Sequence, residues 1–220
     1  MPPILETIDR NANINRRFPR VAQKIKVVPM SAVEILVDEH RLISRMVKAL
    51  TVLHKRLESG QDTDVTVLTK IVDFFQIFVD KNHHVKEEEG LFPALGRHGL
   101  NPQECTIESL EREHEQARNL MATLTRAIEK YEAGDPAARG EDSTALRNSI
   151  DLYNDHIWKE NVILFPMSED VLQPSEHNDI TKQYVEVEKK LDVDLRSKYE
   201  KLVSVLEEAT DVGRGENRPE

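Results

Sequence analysis

The chain has 220 residues, of which 39% are hydrophobic and 32% charged, and its formal net charge is −10. That length suits one domain with a real core, and the acidic balance excludes non-specific nucleic-acid binding, which needs an excess of Lys and Arg. The single cysteine, Cys105, excludes an internal disulfide and a cysteine-based zinc or iron–sulfur site, and favours a cytoplasmic location. No apolar run is long enough for a membrane span, and no apolar signal segment is visible.

Residues 1–30 carry four prolines and six Arg or Lys against Glu6 and Asp9, and read as an extended or disordered arm. A first helix is expected from Ser31, with Glu34 completing a capping box, to about Gly60. Its apolar face includes Leu36, Ile43 and Val47, and His40 shares that face. A second helix runs from near Asp64 to about Gly90, with Val72, Phe75 and Val79 leading to His83 at helical spacing. A third opens at Asn101-Pro102-Gln103-Glu104 and ends at Gly134-Asp135-Pro136, with His114 on the stripe of Leu110, Ala117 and Met121. A fourth spans about Asp142 to Asp170 and aligns Leu152, His156, Glu160 and Ile163. A fifth, charged helix is expected from Ser175 to about Ala209, and a tail follows. No segment shows the short alternating runs of a sheet. The expected fold is all-α: an antiparallel four-helix bundle of two similar hairpins over 31–170. The additional C-terminal helix, 175–209, packs on the bundle or mediates a homodimer, and 210–220 is the tail.

The chain carries one pattern of metal-ligating residue types twice. Glu39-His40 is followed 43 positions later by His83, and Glu113-His114 is followed 42 positions later by His156. In both copies a Glu stands four residues after the second His (Glu87, Glu160), and Leu-Phe-Pro begins eight residues after it. Helical residues four apart share a face, so His83 with Glu87, and His156 with Glu160, can point at one centre. His40 and His114 join them from the other two helices. Two bridging carboxylates and four imidazoles give each of two metals four protein ligands. An oxo or hydroxo bridge adds a fifth, which leaves room for a small exogenous ligand. Mixed His/carboxylate ligation without thiolate suits iron or manganese, and zinc also occupies such sites. A lone buried His is more often a hydrogen-bonded core residue; the matched register of the two copies carries the metal reading. Aligned on Leu-Phe-Pro, His84 matches Ile157, so His84 either orients the site or lies exposed. His54, His98 and His177 fall outside the pattern and read as surface or loop residues. Leu-Phe-Pro reads as packing plus a helix-ending Pro. Tyr153, one turn before His156, could approach the site, although most such tyrosines are core.

These segments resemble the hemerythrin-like (HHE cation-binding) family: Glu39-His40, His83 to Glu88 with Leu91-Phe92-Pro93, Glu113-His114-Glu115, and His156 to Glu160 with Leu164-Phe165-Pro166. The resemblance covers about residues 31–170 and implies a non-haem di-iron centre in an antiparallel four-helix bundle. Oxygen-carrying members place a further His where this chain has Arg118 and an Asp where it has Asn161, which argues against reversible oxygen carriage. The four-His, two-Glu set looks more like di-iron proteins that repair iron–sulfur centres, which typically carry an N-terminal cysteine-containing domain that is not visible here. Three functions remain open. The first is binding or sensing of oxygen, nitric oxide, peroxide or iron itself, in oxidative or nitrosative stress or iron homeostasis. The second is a di-iron oxidoreductase or an iron donor for iron–sulfur repair. The third is a structural zinc bundle.

Overall fold

A computed structural model describes residues 30–61, 64–100, 105–135 and 138–210, the side chains of 138–142 excepted. The expected arm, the tail from 211 and the expected helix opening at Asn101-Pro102-Gln103-Glu104 lie outside the described residues. Among those described there is no strand.

Helix α1 (Ala32–Glu58) begins at the capping box: Glu34 N–H donates to Ser31 Oγ at 3.0 Å, and Ser31 N–H to Glu34 Oε2 at 2.7 Å. It ends where Gly60 takes φ +79°, with Gln61 N–H returning to Arg56 O at 3.0 Å. Helix α2 (Val65–Asp73) continues without a break through π-helical turns π1 (Phe74–His84) and π2 (Glu87–Leu91) into α3 (Phe92–Arg97). Helix α4 (Ile107–Glu132) is capped by Thr106, so among described residues it starts later than the sequence suggests. It closes on Gly134, at φ +90°, with Asp135 N–H bonded to Lys130 O at 3.0 Å. The two hairpins thus use the same helix-ending device. Helix α5 (Ala138–Lys159), the π-turn π3 (Glu160–Leu164) and α6 (Phe165–Val171) form the fourth rod.

Leu-Phe-Pro does not end either helix. The widened turns leave Phe92 N–H bonded to Glu87 O and Phe165 N–H to Glu160 O. The ladder shifts by one residue ahead of Pro93 and Pro166, where a proline lacks its donor. Both helices therefore continue past the proline, as α3 and α6.

Antiparallel α4 and α5 are neighbours, α1 packs on α5, and α2–π1 packs on α4. The apolar interior divides in two. One half includes Ile43, Phe75, Leu124 and Leu146; the other includes Leu36, Leu91, Leu110, Leu164 and Phe165. Along each rod the metal-type residues fall between these halves, so a polar layer sits across a dry bundle.

The expected single C-terminal helix is two: α7 (Pro174–Glu188) and α8 (Leu195–Thr210). The break falls at Leu191-Asp192-Val193-Asp194. Asp192 accepts from Asp194 N–H through its side chain at 3.1 Å and from Leu195 N–H through its carbonyl at 3.0 Å, which restarts the helix. The break lets the two pieces, both resting on α1, meet different turns of the second rod. Helix α7 lies against α1 and π2, and α8 against α1 and π1. Tyr199 of α8 packs on Phe74 with centroids 5.3 Å apart and donates to Asp73 Oδ2 at 2.8 Å. Arg45 forks onto Glu207 at 2.9 and 2.7 Å.

Candidate metal centre

The polar layer gathers all six ligand candidates. His40 and His83 lie with Glu87 and Glu160 in one buried group, and His114 and His156 lie with the same two glutamates in another. Within each group the candidate ligand atoms are within 4.8 Å of one another. Each internal repeat thus contributes one pair of imidazoles. Glu87 faces His83 Nε2 through Oε1 and His114 Nε2 through Oε2, at 3.5 Å each. Glu160 Oε2 lies 3.2 Å from His40 Nε2 and 3.3 Å from His156 Nε2. Each carboxylate therefore spans the two pairs. Both begin a π-turn, a local widening often found at functional sites.

The outward nitrogen of every imidazole is already held. His83 Nδ1 donates to Glu39 at 2.9 Å and His156 Nδ1 to Glu113 at 3.0 Å. Lys86 grips Glu39 at 2.5 Å and Lys159 grips Glu113 at 2.6 Å. The lone histidines are held across the repeats: His40 Nδ1 donates to Asn161 Oδ1 at 2.9 Å, and His114 Nδ1 to Glu88 at 2.7 Å. With Nδ1–H donated, each Nε2 presents its lone pair inward, the arrangement of a metal-ligating histidine.

A layer without a cation is poorly satisfied. His40 Nε2, His83 Nε2 and both oxygens of Glu87 and of Glu160 are buried without hydrogen-bond partners. Each such orphan costs about 1–3 kcal/mol. His114 Nε2 and His156 Nε2 lie 3.2 Å apart, close to the ~3 Å between neighbouring ligands about 2.1 Å from one ion. Burial raises Glu87 well above the carboxylate range, and facing Glu160 raises it further, so the pair retains a proton unless a cation neutralises it. Burial also lowers His83 to about 4 and His114 below its usual value, which keeps both neutral and able to ligate. Burial would raise Glu39, yet His83 and Lys86 hold it at about 2. The residues present fit a pair of cations.

Several residues were not read from the sequence as parts of this layer. Glu39, Glu113, Lys86 and Lys159 repeat in register like the ligand candidates, and that repetition was the signal for them. His84 is buried, not exposed. His54 and His177 are also buried rather than on the surface, beside Glu58 and Glu169 respectively, whereas His98 is exposed. Tyr153 is core, stacked on Phe75 with centroids 4.6 Å apart. Arg118 donates to Asp80 and to Glu88, at 2.6 Å each, and so steadies the carboxylate that orients His114.

An all-α bundle with a buried layer of repeated His and Glu defines a cation-binding helical domain. The chain belongs to the hemerythrin HHE cation-binding family, whose profile matches residues 31–168. Over 161 residues it is 24% identical to an uncharacterized protein of Mycobacterium bovis and to uncharacterized proteins of two strains of Mycobacterium tuberculosis. The alignment covers 73% of this chain, and it spans only 62% of the length of those curated relatives. Helices α7 and α8 lie beyond the family match. Among the described residues no helix is long and apolar enough to cross a membrane.

Proposed function

We propose that this chain holds two iron ions through His40, His83, His114, His156, Glu87 and Glu160, and that it binds or senses a small ligand such as oxygen, nitric oxide or peroxide. The observation that carries this reading is the pairing itself: two sets of inward Nε2 atoms share two carboxylates, and His40 Nε2, His83 Nε2 and all four carboxylate oxygens are buried without hydrogen-bond partners. Thiolate is absent from the set, which suits iron or manganese over softer ions. Bound as a pair, such ions supply redox capacity and coordination of a diatomic or peroxide. The chain's own residues do the rest. Glu39, Glu113, Glu88 and Asn161 fix the imidazole tautomers, the two apolar halves exclude bulk water, and Glu87 gives up its proton when a cation arrives. The setting is oxidative or nitrosative stress or iron homeostasis in the cytoplasm.

The test is metal analysis of protein purified from its native host, followed by optical spectra of the reduced protein before and after oxygen, nitric oxide or peroxide. Two irons per chain with ligand-dependent spectra are expected. One zinc per chain, or spectra indifferent to all three ligands, overturns the reading. Turnover of peroxide or nitric oxide that disappears in His83→Ala would move the protein from sensor to oxidoreductase.

A further inference from the structure

Helix α7 lies beyond the stretch that the family profile matches, yet it sets a buried tyrosine beside the polar layer. Tyr184 is 1% exposed, and its hydroxyl is buried without a hydrogen-bond partner. Its ring rests on the π2 turn that begins at Glu87: a Cβ on Gly90 would stand 2.8 Å from Tyr184 Cε1 and 3.4 Å from Cδ1. One turn earlier, Lys86 Nζ is 5.7 Å from the ring centroid. Both oxygens of Glu87 are orphaned in the same way as the hydroxyl.

Packing alone does not account for a tyrosine here. The internal repeat supplies a comparison, because the position that matches Gly90 is Ile163, which is partly buried. The second copy fills this register with its own side chain. The first leaves a glycine notch, and α7 fills it with a phenol. Phenylalanine would fill the same notch without stranding a hydroxyl, which is destabilising when buried. Tyr199 of α8 shows the ordinary solution, donating to Asp73 at 2.8 Å. Burial raises the Tyr184 phenol well above its usual value, and the charges of Glu87 and Glu39 raise it further. The hydroxyl therefore stays protonated, within electrostatic reach of the Glu87 carboxylate.

We propose that Tyr184 is a positioning residue of the metal centre, its O–H donating to the Glu87 carboxylate once bound cations hold that carboxylate as an anion. The inference rests on the two-cation reading above. A carboxylate offers about four lone-pair sites; two cations take one on each oxygen, and a site is left for a donor. Without cations Glu87 keeps a proton and is a poor acceptor. With them it becomes a charged acceptor, which forms the stronger kind of hydrogen bond. Loading the centre thereby ties α7 to the second rod.

The experiment compares full-length wild type with Tyr184→Phe, metal-free and with cobalt(II). A tyrosine that served packing alone would shift both forms in one direction; here the signs differ. Metal-free Tyr184→Phe is expected to melt no lower than wild type, because it removes an orphan, while its cobalt affinity falls by about tenfold or more. In wild type, zinc binding should shift the near-ultraviolet absorption of tyrosine to the red, as a phenol does when it begins to donate, and the variant should lack that shift. With iron bound, the midpoint potential should be lower in the variant, because a hydrogen bond draws charge from the carboxylate and favours the reduced ions. A metal-free variant that melts below wild type or fails to fold, an unchanged cobalt affinity, or a tyrosine spectrum indifferent to zinc overturns the role of Tyr184 and leaves the two-cation reading standing. A phenolate-to-iron charge-transfer band that the variant loses also overturns it, because the phenol would then be a ligand and not a donor. Failure of the wild type to bind two equivalents overturns both.

Discussion

Lys86 and Lys159 occupy the same register in the two repeats and make the same contact, on Glu39 and Glu113, yet their surroundings differ. Lys86 is fully buried, because α7 covers it and Glu188 reaches in to accept a second hydrogen bond at 2.6 Å. Lys159 keeps 22% of its side chain exposed and shares its charge with Asp155 near solvent. Replacing Lys86 by Met removes the cation of a buried pair and leaves the Glu39 carboxylate only the neutral donors Asn82 and His83, a change that costs about 3–5 kcal/mol. Lys159→Met breaks a half-open pair worth about 0–1 kcal/mol. Urea unfolding of both variants in the metal-free state should therefore show a difference of about 2 kcal/mol or more. Lys86→Met also loosens the bond that fixes the His83 tautomer, so metal affinity should fall by about 10–100-fold. Equal unfolding midpoints for the two variants would refute the claim that α7 buries one repeat's orienting pair and not the other's.

Gly90→Ala and Gly96→Ala should have opposite effects. A Cβ at Gly90 would lie 2.8 Å from Tyr184 Cε1, on a fully buried ring, whereas one at Gly96 meets nothing within 4 Å. The clash costs about 1–3 kcal/mol and at Gly90 outweighs the gain of up to about 1 kcal/mol that Ala brings to a helix, so thermal unfolding should shift down for Gly90→Ala and up for Gly96→Ala. Metal uptake at neutral pH should acidify a weakly buffered solution, because Glu87 is raised and must ionise to ligate; an unchanged pH indicator would contradict that. His83 falls from 6.5 to about 4 in the folded chain. Its contribution to metal-free stability is therefore complete above pH 6.5 and lost as pH falls toward 4, and urea midpoints across that range should show it. Asn161→Ala frees His40 Nδ1, and metal competition should show about 10–100-fold weaker binding on the His40/His83 side.

The sequence by itself determined the helical rods, the two-hairpin repeat and the six ligand candidates. Apolar spacing, caps and His-to-Glu intervals are local properties, and a helix turns local spacing into a shared face. The tertiary structure decided what depends on neighbours far along the chain. His84 stands about 100° around the helix from His83 and by spacing faces away, yet π1 and the packing of α4 bring it onto the His114 ring. The proline after each Glu reads as a stop, but a π-turn carries both helices through. Apolar spacing from Tyr184 to Leu206 reads as one helix, while Asp192 restarts it so that α7 and α8, both on α1, reach π2 and π1 respectively. Glu188 meets Lys86 from 102 residues away, and no periodicity encodes a contact of that range. Local physics chose the ligand candidates, and long-range packing fixed the partners that hold their outward nitrogens.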